Sequence, residues 1–459
     1  MTAPHYECDG TMTMVLRSSS HNEWRVSRHA LQPKVQLVTL TYGKAFTTEV
    51  FQLSRIRRHT LPRRPVRLAA ITGTALLAAA LTACGGGNSS SGDAKSDLKS
   101  DKKTEISVNL TGKQAKAGEP VKVTLADGRL QSVTVTDAKG GKLDGKISAD
   151  GKTWTSDRVA APGASYAIEA KDDKGGSAKA DFATAAPEKE NKLSLAPGKD
   201  STVGIGQPLS IVFDHPVKNK AAVEKQLKVT TSDNTEGSWG WMEDYSGKSR
   251  IDWRPKDYWK PGTKVTLEAN LNGVDSGPSG GWFTKDYKTG FTVGKNQLIK
   301  VDLDNHRLKL FRDGQLVKDI AMSAGTPGGD KASWRGKTVL MAKEGTINMN
   351  SETVGLGSSY NKMVDYSMRL TWSGMYAHAA PWNSGYFGSA NKSSGCIGMS
   401  DADAKFVYDS VQVGDPFEIT GDDAKGTQAL NNGYGEWNLS YDAWKAKSAL
   451  TGNTGTTGN

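Results

Sequence analysis

From residue 104 onward, short runs of alternating apolar and polar residues are separated by turn signals, and this pattern is the strongest constraint on the fold. Val121, Val123 and Leu125 alternate with polar residues ahead of the turn signal Asp127-Gly128. Such alternation places the apolar side chains on one face of a β-strand. The chain also has 51 glycines to form turns. The sequence therefore predicts a mainly β protein rather than a helical one.

The length and the positions of these runs predict several domains. A chain of 459 residues corresponds to roughly two to four domains of ordinary size. Short strands with regular turns over 104–190 and over 191–295 favour two β-sandwiches. Longer alternating strands predict a third β domain over 296–421. Residues 422–459 would then form a short C-terminal subdomain and tail.

Local signals add detail to this arrangement. The pair Asp313-Gly314 between two alternating runs predicts a β-hairpin, because both residues tolerate the backbone conformation of a two-residue turn. Short helices are predicted over Ala221–Leu227 and Tyr441–Leu450.

Aromatic residues are concentrated in the second sandwich. Flat rings can stack on sugars or fill a core, and we favour packing because large aromatic side chains dominate core energetics. The residues concerned are Trp239, Trp241, Trp253, Tyr258 and Trp259.

The formal net charge of +10 is unevenly distributed. Residues 1–83 contain 11 Lys and Arg against 4 Asp and Glu, so they carry +7 of this charge. After Cys84 no basic helix or aromatic-basic patch is present, which argues against nucleic-acid binding. The positive charge therefore belongs mostly to a leader segment and says little about partners.

The segment before Cys84 has the parts of an export signal. An arginine-rich stretch precedes the apolar run LAAITGTALLAAA, which is short for a membrane span, and the sequence LTAC follows. The alternative is a buried cysteine in a hydrophobic helix. LTAC resembles the lipobox of bacterial lipoproteins, which implies lipidation at Cys84. The protein would then be exported and anchored to the outer face of the cell membrane, facing the wall. The composition of residues 84–103, rich in Gly, Ser, Asp and Lys, predicts a flexible tether. Residues 1–83 are interpreted as a doubtful N-terminal extension, with a true start near Val50 or Leu53, and a signal peptide.

Cys396 and His378 are the residues with the clearest potential for chemistry. They lie 18 residues apart in a stretch rich in glycine and serine. An unpaired cysteine in an exported protein is either a small buried hydrophobe or a reactive thiol. A nearby histidine could lower the thiol pKa. Gly395 would let successive backbone N–H groups converge on one point, as an oxyanion hole requires.

This stretch resembles the active-site signature of the L,D-transpeptidases, in which a histidine is followed after a loop by Ser-His-Gly-Cys. The multidomain actinobacterial members are similar over about Asn191–Lys447. The matching stretches are WRPKDYWKPGTKVT at Trp253–Thr266, MNSETVG at Met349–Gly355, SYNKM at Ser359–Met363, SGMYAHAAPW at Ser373–Trp382 and GYGEWNLSYDAWKA at Gly433–Ala446. The resemblance implies two immunoglobulin-like β-sandwiches, an L,D-transpeptidase β-sandwich catalytic domain and a short C-terminal subdomain.

The resemblance also implies roles for individual residues. Cys396 would be the nucleophile and His378 the base and later the acid. The backbone N–H groups of Ser394, Gly395 and Cys396 would form the oxyanion hole. The expected substrate-binding residues are the lid residue Tyr360, Met349, Ser373, Gly374, Ser393 and Gly398.

Three positions depart from the family pattern. Ser394 replaces the second histidine, and Gly398 replaces a polar residue two positions after the cysteine. Ser394 would serve equally if that position acts through its backbone N–H, whereas loss of an imidazole that tunes the thiol would alter activity. Ala379 follows the base. In the family the group that orients the base is a backbone carbonyl, which alanine retains.

The implied reaction is acyl transfer without a metal or cofactor. Cys396 would attack the carbonyl that joins the diamino acid of a tetrapeptide stem to D-Ala, and an amine of a second stem would complete a 3→3 peptidoglycan cross-link. Carbapenems would acylate the same thiol. A sortase would need an arginine after its cysteine, and a papain-like enzyme has Cys before His. The remaining alternative is a catalytically weakened wall-binding or spacer lipoprotein.

Overall fold

The computed structural model of the protein describes residues 104–451, and the predicted extension, signal, lipidation site Cys84 and tether lie outside these residues. Within the described part, hydrophobic residues form three separate cores, one in each of three successive β regions. The fold is mainly β, as the alternating pattern predicts. No helix between residues 104 and 451 is long and apolar enough to cross a membrane.

The first region is a β-sandwich. Its strands are β1 Ile106–Val108, β2 Gly112–Ala115, β3 Pro120–Leu125, β4 Leu130–Asp137, β5 Lys142–Leu143, β6 Gly145–Ile147, β7 Thr153–Val159, β8 Ser165–Asp172 and β9 Ser177–Thr184. They form one sheet in the order β1-β3-β7-β6 and another in the order β2-β9-β8-β4-β5. Alternate residues of β8 are buried, which is the burial pattern that period-two alternation predicts.

The second region is also a sandwich of two sheets. Its elements are β10 Leu193–Ala196, β11 Ser201–Val203, β12 Leu209–Phe213, α1 Lys220–Glu224, β13 Leu227–Thr231, β14 Gly237–Glu243, β15 Ser249–Pro255, β16 Lys264–Ala269 and β17 Tyr287–Val293. The sheet orders are β10-β12-β15-β14 and β11-β17-β16-β13. Trp239, Trp241, Trp253 and Trp259 are buried in the core between them, so the packing interpretation of the aromatic cluster is confirmed.

The third region contains the predicted functional residues. Its elements are β18 Gln297–Asp302, β19 Arg307–Arg312, β20 Gln315–Ala321, a 3₁₀ turn Gly329–Lys331, β21 Trp334–Val339, β22 Ala342–Asn350, a 3₁₀ turn Ser351–Val354, β23 Asn361–Arg369, β24 Tyr376–Ala379, a 3₁₀ turn Pro381–Tyr386, β25 Ile397–Met399, α2 Asp401–Ser410 and β26 Pro416–Thr420. The predicted hairpin joins β19 to β20, and its turn residues Asp313 and Gly314 both have positive φ.

The two sheets of the third region separate framework from site. A larger sheet contains β20-β19-β18-β26-β21 and ends on β27 Gly426–Thr427, from the C-terminal segment. The second sheet has the order β22-β23-β24-β25, and α2 packs beside it on β23 and β24. Ile299, Leu308, Ala377 and Ile397 share one core between the sheets. This shared core holds the second sheet against the first. His378 lies in β24 of the second sheet, and Cys396 immediately precedes β25.

The C-terminal segment contacts both the second and the third regions. It contains a 3₁₀ turn Gly435–Asn438 and α3 Tyr441–Lys445. Trp444 is fully buried over Gly240 of β14, and its indole N–H donates to Ser238 O at 2.9 Å. The segment therefore ties the second sandwich to the third region.

Both predicted helices exist but are shorter than the sequence suggested. The first covers Lys220–Glu224 rather than Ala221–Leu227, because β13 begins at Leu227. The second covers Tyr441–Lys445 rather than Tyr441–Leu450. It ends where the backbone N–H of Trp241 donates to Lys447 O, so packing on the second sandwich takes over from the helix.

Candidate active site

His378 and Cys396 are brought together by two neighbouring parallel strands. All residues of β24, which contains His378, are buried. In β25 the partner of His378 is Gly398, and Cys396 immediately precedes this strand. Residues two apart on a strand point to the same face, so the register places the Cys396 thiol and the His378 imidazole on one face of neighbouring strands. Such strands lie about 4.8 Å apart.

The Cys396 side chain is almost fully buried, with 8% of its surface exposed. Its S–H donates to Gly374 O at 3.6 Å, and the backbone N–H of Tyr376 donates to its sulfur. Burial raises the pKa of the thiol to about 11, although the Tyr376 N–H partly offsets this effect. The lowered thiol pKa that a nearby histidine suggested from the sequence is therefore not what the structure gives.

The His378 ring is equally enclosed. Its Nδ1 lies 2.6 Å from Ala379 O, and since a carbonyl only accepts hydrogen bonds, Nδ1 carries the proton. Burial lowers the pKa of the imidazole to about 4, despite the opposing effect of this hydrogen bond. At neutral pH the ring is neutral, and its Nε2 is free to accept a proton.

The turn that leads into Cys396 presents backbone donors. Gly395 has φ +119°, a conformation that glycine accepts and other residues avoid. Its own N–H is directed to Ser393 Oγ at 3.3 Å, whereas the N–H groups of Ser394 and Cys396 donate to no other described residue. The hydroxyl of Ser393 donates to Cys396 O at 2.5 Å and fixes the turn. Two of the three expected oxyanion donors are therefore unpaired.

A cavity of about 210 Å³, here called the Cys396 cavity, contains both the thiol and the imidazole. It brings together several residues that are far apart in the sequence. The lining residues are Met349, Ser359, Tyr360, Lys362, Val364, His378, Trp382, Asn383, Lys392, Ser393, Ser394 and Cys396. Six of the predicted site residues (Met349, Tyr360, His378, Ser393, Ser394 and Cys396) thus line one cavity.

Two further clefts adjoin this cavity, and residues of the loop 351–360 line both of them. The Gly374 cleft, of about 510 Å³, includes Ser373, Gly374, Ser394 and Gly395. The Glu344 cleft, of about 450 Å³, includes Glu344, Arg369 and Tyr376. Tyr360 lines the cavity and both clefts, which places it at the point where the three spaces meet.

Three predicted substrate residues, Ser373, Gly374 and Gly398, lie outside the Cys396 cavity. Gly398 lines none of these three spaces, and a Cβ at this position would lie 2.7 Å from the Cβ of Ala380. The hydroxyl of Ser373 is already engaged by the amide of Asn432 at 2.8 Å. Gly374 presents its carbonyl to the thiol and has φ +91°.

Sequence reasoning assigned no role to the other six lining residues of the Cys396 cavity: Ser359, Lys362, Val364, Trp382, Asn383 and Lys392. Trp382 and Asn383 follow His378 closely, and Lys392 shortly precedes Cys396, so proximity to the two reactive residues was the available signal. The loop 351–360 also positions Val354 against Gly374. Its two ends are joined by the backbone N–H of Ser351, which donates to Tyr360 O at 3.0 Å.

The arrangement can support nucleophilic acyl transfer. It contains a thiol, an imidazole nitrogen free to take a proton, and unpaired N–H groups beside the thiol, which together meet the requirements of that chemistry. Among residues 104–451 there is no cluster of three or more His, Cys, Asp or Glu that could hold a metal ion.

Comparison with known proteins places this site in a family. Residues 296–419 match the model of the L,D-transpeptidase catalytic domain, and residues 112–275 match that of the bacterial Ig domain. L,D-transpeptidase 2 of Mycobacterium tuberculosis is 33% identical over 339 residues, which cover 72% of this chain and 81% of that protein. L,D-transpeptidase 5 of the same species is 29% identical over 346 residues, covering 72% of this chain and 73% of that protein.

Among solved structures, that of the L,D-transpeptidase LdtMt1 in complex with imipenem is 30% identical with a TM-score of 0.43, covering 50% of this chain and 100% of that one. The sequence matches define a multidomain protein in which immunoglobulin-like domains precede a catalytic β-sandwich. The chain belongs to the L,D-transpeptidase family. The family and the mainly β fold expected from the sequence are thereby confirmed.

Proposed function

We propose that this protein is an exported L,D-transpeptidase that forms 3→3 cross-links in peptidoglycan by acyl transfer through a thioester on Cys396. The observation that carries the proposal is the Cys396 cavity, which encloses the thiol, the His378 imidazole and the free N–H of Ser394. Family membership supplies the reaction class.

In the first half-reaction, Cys396 attacks the carbonyl that joins the diamino acid to D-Ala in a tetrapeptide stem. Because thiol and imidazole are both neutral at neutral pH, the thiol proton passes to Nε2 of His378 as the S–C bond forms. The N–H groups of Ser394 and Cys396 stabilise the oxyanion. The C–N bond then breaks, and D-Ala leaves as its amine takes the proton from His378.

In the second half-reaction, an amine of another stem attacks the thioester. Nε2 of His378 accepts a proton from this amine, the new C–N bond forms and the S–C bond breaks. The proton returns to the sulfur, so the enzyme is regenerated. The Nδ1–H donation to Ala379 O keeps the ring in the tautomer that both steps need.

Localisation is part of the same proposal. An export signal followed by a lipobox-like LTAC supports lipidation at Cys84 and anchoring to the outer face of the membrane. The tether 84–103 and the two sandwiches would then separate the active site from the membrane surface. Stem peptides of the wall are the proposed donor and acceptor.

A catalytically weakened spacer lipoprotein is the second candidate, motivated by Ser394 and Gly398. The geometry favours the enzyme, because position 394 offers an unpaired backbone N–H that does not depend on its side chain. At position 398 the polar side chain is absent, yet Asn383 brings an amide into the Cys396 cavity from a different element.

Mass spectrometry of the intact protein with a carbapenem tests the proposal. We expect one covalent adduct on the wild type and none on Cys396→Ala, since Cys396 is the only cysteine among residues 104–451. A tetrapeptide stem should likewise release D-Ala only with the wild type. If the wild type acquires no carbapenem adduct and releases no D-Ala, the protein is a spacer and not a transpeptidase.

A further inference from the structure

The Cys396 cavity is lined by an amide that no protein group satisfies. Only 8% of the Asn383 surface is exposed, yet its side chain forms no hydrogen bond with any residue in 104–451. The polar atoms of this amide are still reached by solvent, because neither is among the fully enclosed side-chain atoms that lack a partner. Water can therefore occupy them in the free protein, and a ligand in the cavity that also holds the thiol can replace that water.

Two lysines give the same cavity a positive charge. Nζ of Lys362 lies 4.5 Å from the centre of the Trp382 ring, and that ring lies 6.1 Å from the imidazole of His378. Lys392 lines the cavity shortly before Cys396. Neither lysine forms an ion pair with a described residue, and no Asp or Glu lines the cavity. The cavity therefore favours an anionic group.

The position of His378 identifies which part of the substrate enters this cavity. His378 lines the Cys396 cavity and neither of the two clefts. The proton carried by its imidazole must reach the amine that leaves, and the attacking amine approaches by the reverse of the same path. The departing D-amino acid and then the attacking amine therefore occupy the Cys396 cavity, while the acylated stem extends into the adjoining clefts.

The size of the cavity agrees with this division. Its volume of about 210 Å³ is below the roughly 300–1,000 Å³ of sites that enclose drug-sized ligands. It is also less than half the volume of either adjoining cleft, so we assign the single departing amino acid to this cavity and the longer stem to the clefts. A departing D-Ala has a carboxylate on the carbon that bears its amine, and this is the anionic group nearest to the reaction.

We propose that Asn383, Lys362 and Lys392 form a subsite for the carboxylate next to the reacting amine. The proposal rests on the proposed function and specifies its substrates. The Asn383 amide donates to the carboxylate inside the cavity, and the two lysines attract it at the mouth. The carboxylate itself is unchanged in both half-reactions. Donors with a free terminal carboxylate, and acceptor amines adjacent to a carboxylate, are preferred over their amides and over simple alkyl amines.

The experiment compares two tetrapeptide donors that differ only in a terminal carboxylate or carboxamide. D-Ala or D-alaninamide release gives kcat/KM for the wild type, Asn383→Ala and the double variant Lys362→Gln/Lys392→Gln. Loss of a charge-assisted hydrogen bond corresponds to a decrease in kcat/KM of about tenfold or more, and loss of two exposed lysines together to a decrease of about fivefold. We expect the wild type to prefer the carboxylate at least about tenfold and each variant to lose most of this preference through slower reaction of the carboxylate donor.

Lys309→Gln is the matched control, because Lys309 is a partly exposed lysine in β19 that pairs with Asp319 away from the cavity. It should retain the full preference. The double variant should also lose the dependence of KM on salt that lysine–carboxylate attraction produces in the wild type. If the variants release D-Ala with an unchanged preference for the carboxylate, the subsite is wrong while the transpeptidase function stands.

A binding measurement separates failure of the subsite from failure of the function. If the wild type turns over neither donor, the proposed function fails, and the subsite is then tested on the Cys396→Ser protein by saturation-transfer NMR with D-alanine and D-alaninamide. Stronger binding of D-alanine that is lost in Asn383→Ala/Cys396→Ser supports the subsite. Equal binding of the two ligands overturns it.

Discussion

The most informative prediction is that the resting enzyme contains a neutral thiol. Burial raises the pKa of Cys396 to about 11 and lowers that of His378 to about 4. A thiol with a pKa of about 11 is ionised to roughly one part in ten thousand at pH 7. Transfer of its proton to an imidazole with a pKa of about 4 costs about 9.5 kcal/mol before the attraction between the resulting charges is included. An attraction of about 4 kcal/mol, that of unit charges 4 Å apart at an effective dielectric constant of about 20, does not offset this cost, so we expect the neutral pair to be the ground state.

The ultraviolet absorbance of the thiolate at about 240 nm provides the assay. The difference spectrum between the wild type and Cys396→Ser isolates this thiol, since residues 104–451 contain no other cysteine. We expect no thiolate step between about pH 5 and 9, and a rate of carbapenem acylation that is nearly constant over this range. The rate should fall only as the pH approaches about 4, where His378 takes up a proton.

Either of two results would refute this reasoning. A thiolate absorbance already complete at pH 7 would show that the thiol and imidazole form an ion pair despite their burial. An acylation rate that declines through about pH 6.5 would show that His378 titrates like an imidazole in water.

Three further predictions concern stability and packing. The pKa of His378 is about 4 in the folded protein and 6.5 in the unfolded chain, so on acidification the unfolded chain binds the proton first. About 3 kcal/mol of the stability present above pH 6.5 is therefore lost by pH 4. Chemical denaturation at the two pH values should show a smaller loss for His378→Asn. Gly398→Ala should cost about 1–3 kcal/mol because its Cβ would lie 2.7 Å from that of Ala380, and Ala380→Gly in the same protein should recover part of this loss in thermal denaturation. Trp444→Ala should cost about 3–5 kcal/mol and expose the C-terminal segment to proteolysis, whereas Leu450→Ala, at a side chain 44% exposed, should leave it protected.

Much of the fold could be predicted from local pattern alone. Alternating burial in β8 follows directly from its alternating residues, and the Asp313-Gly314 turn forms the expected hairpin, because strand periodicity and turn conformation depend on neighbours in the chain. Helix ends were predicted less well. The helix from Tyr441 stops at Lys445 because the following residues bond to β14, a contact that is distant in the sequence.

Part of the candidate site could also be predicted from the sequence. The residue types and spacing of His378 and Cys396 left a reactive thiol and a buried hydrophobe as alternatives, and the resemblance to the L,D-transpeptidase signature decided for the reactive thiol. Lys362 and Asn383 could not be assigned to the site, because they come from β23 and from a separate 3₁₀ turn. Only the pairing of β23, β24 and β25 places these elements around one cavity.

The sequence by itself determined that this protein is built from β-sandwiches, and it singled out one thiol and one imidazole as the candidate reactive groups. Tertiary structure decided the protonation states of those groups and the charge of the space around them. The physical reason is desolvation: a side chain's pKa depends on how completely the surrounding elements exclude water, and that exclusion is produced by residues brought together across the sheet. Burial of Cys396 and His378 among the β22–β25 sheet and the loop 351–360 raises the thiol pKa and lowers the imidazole pKa.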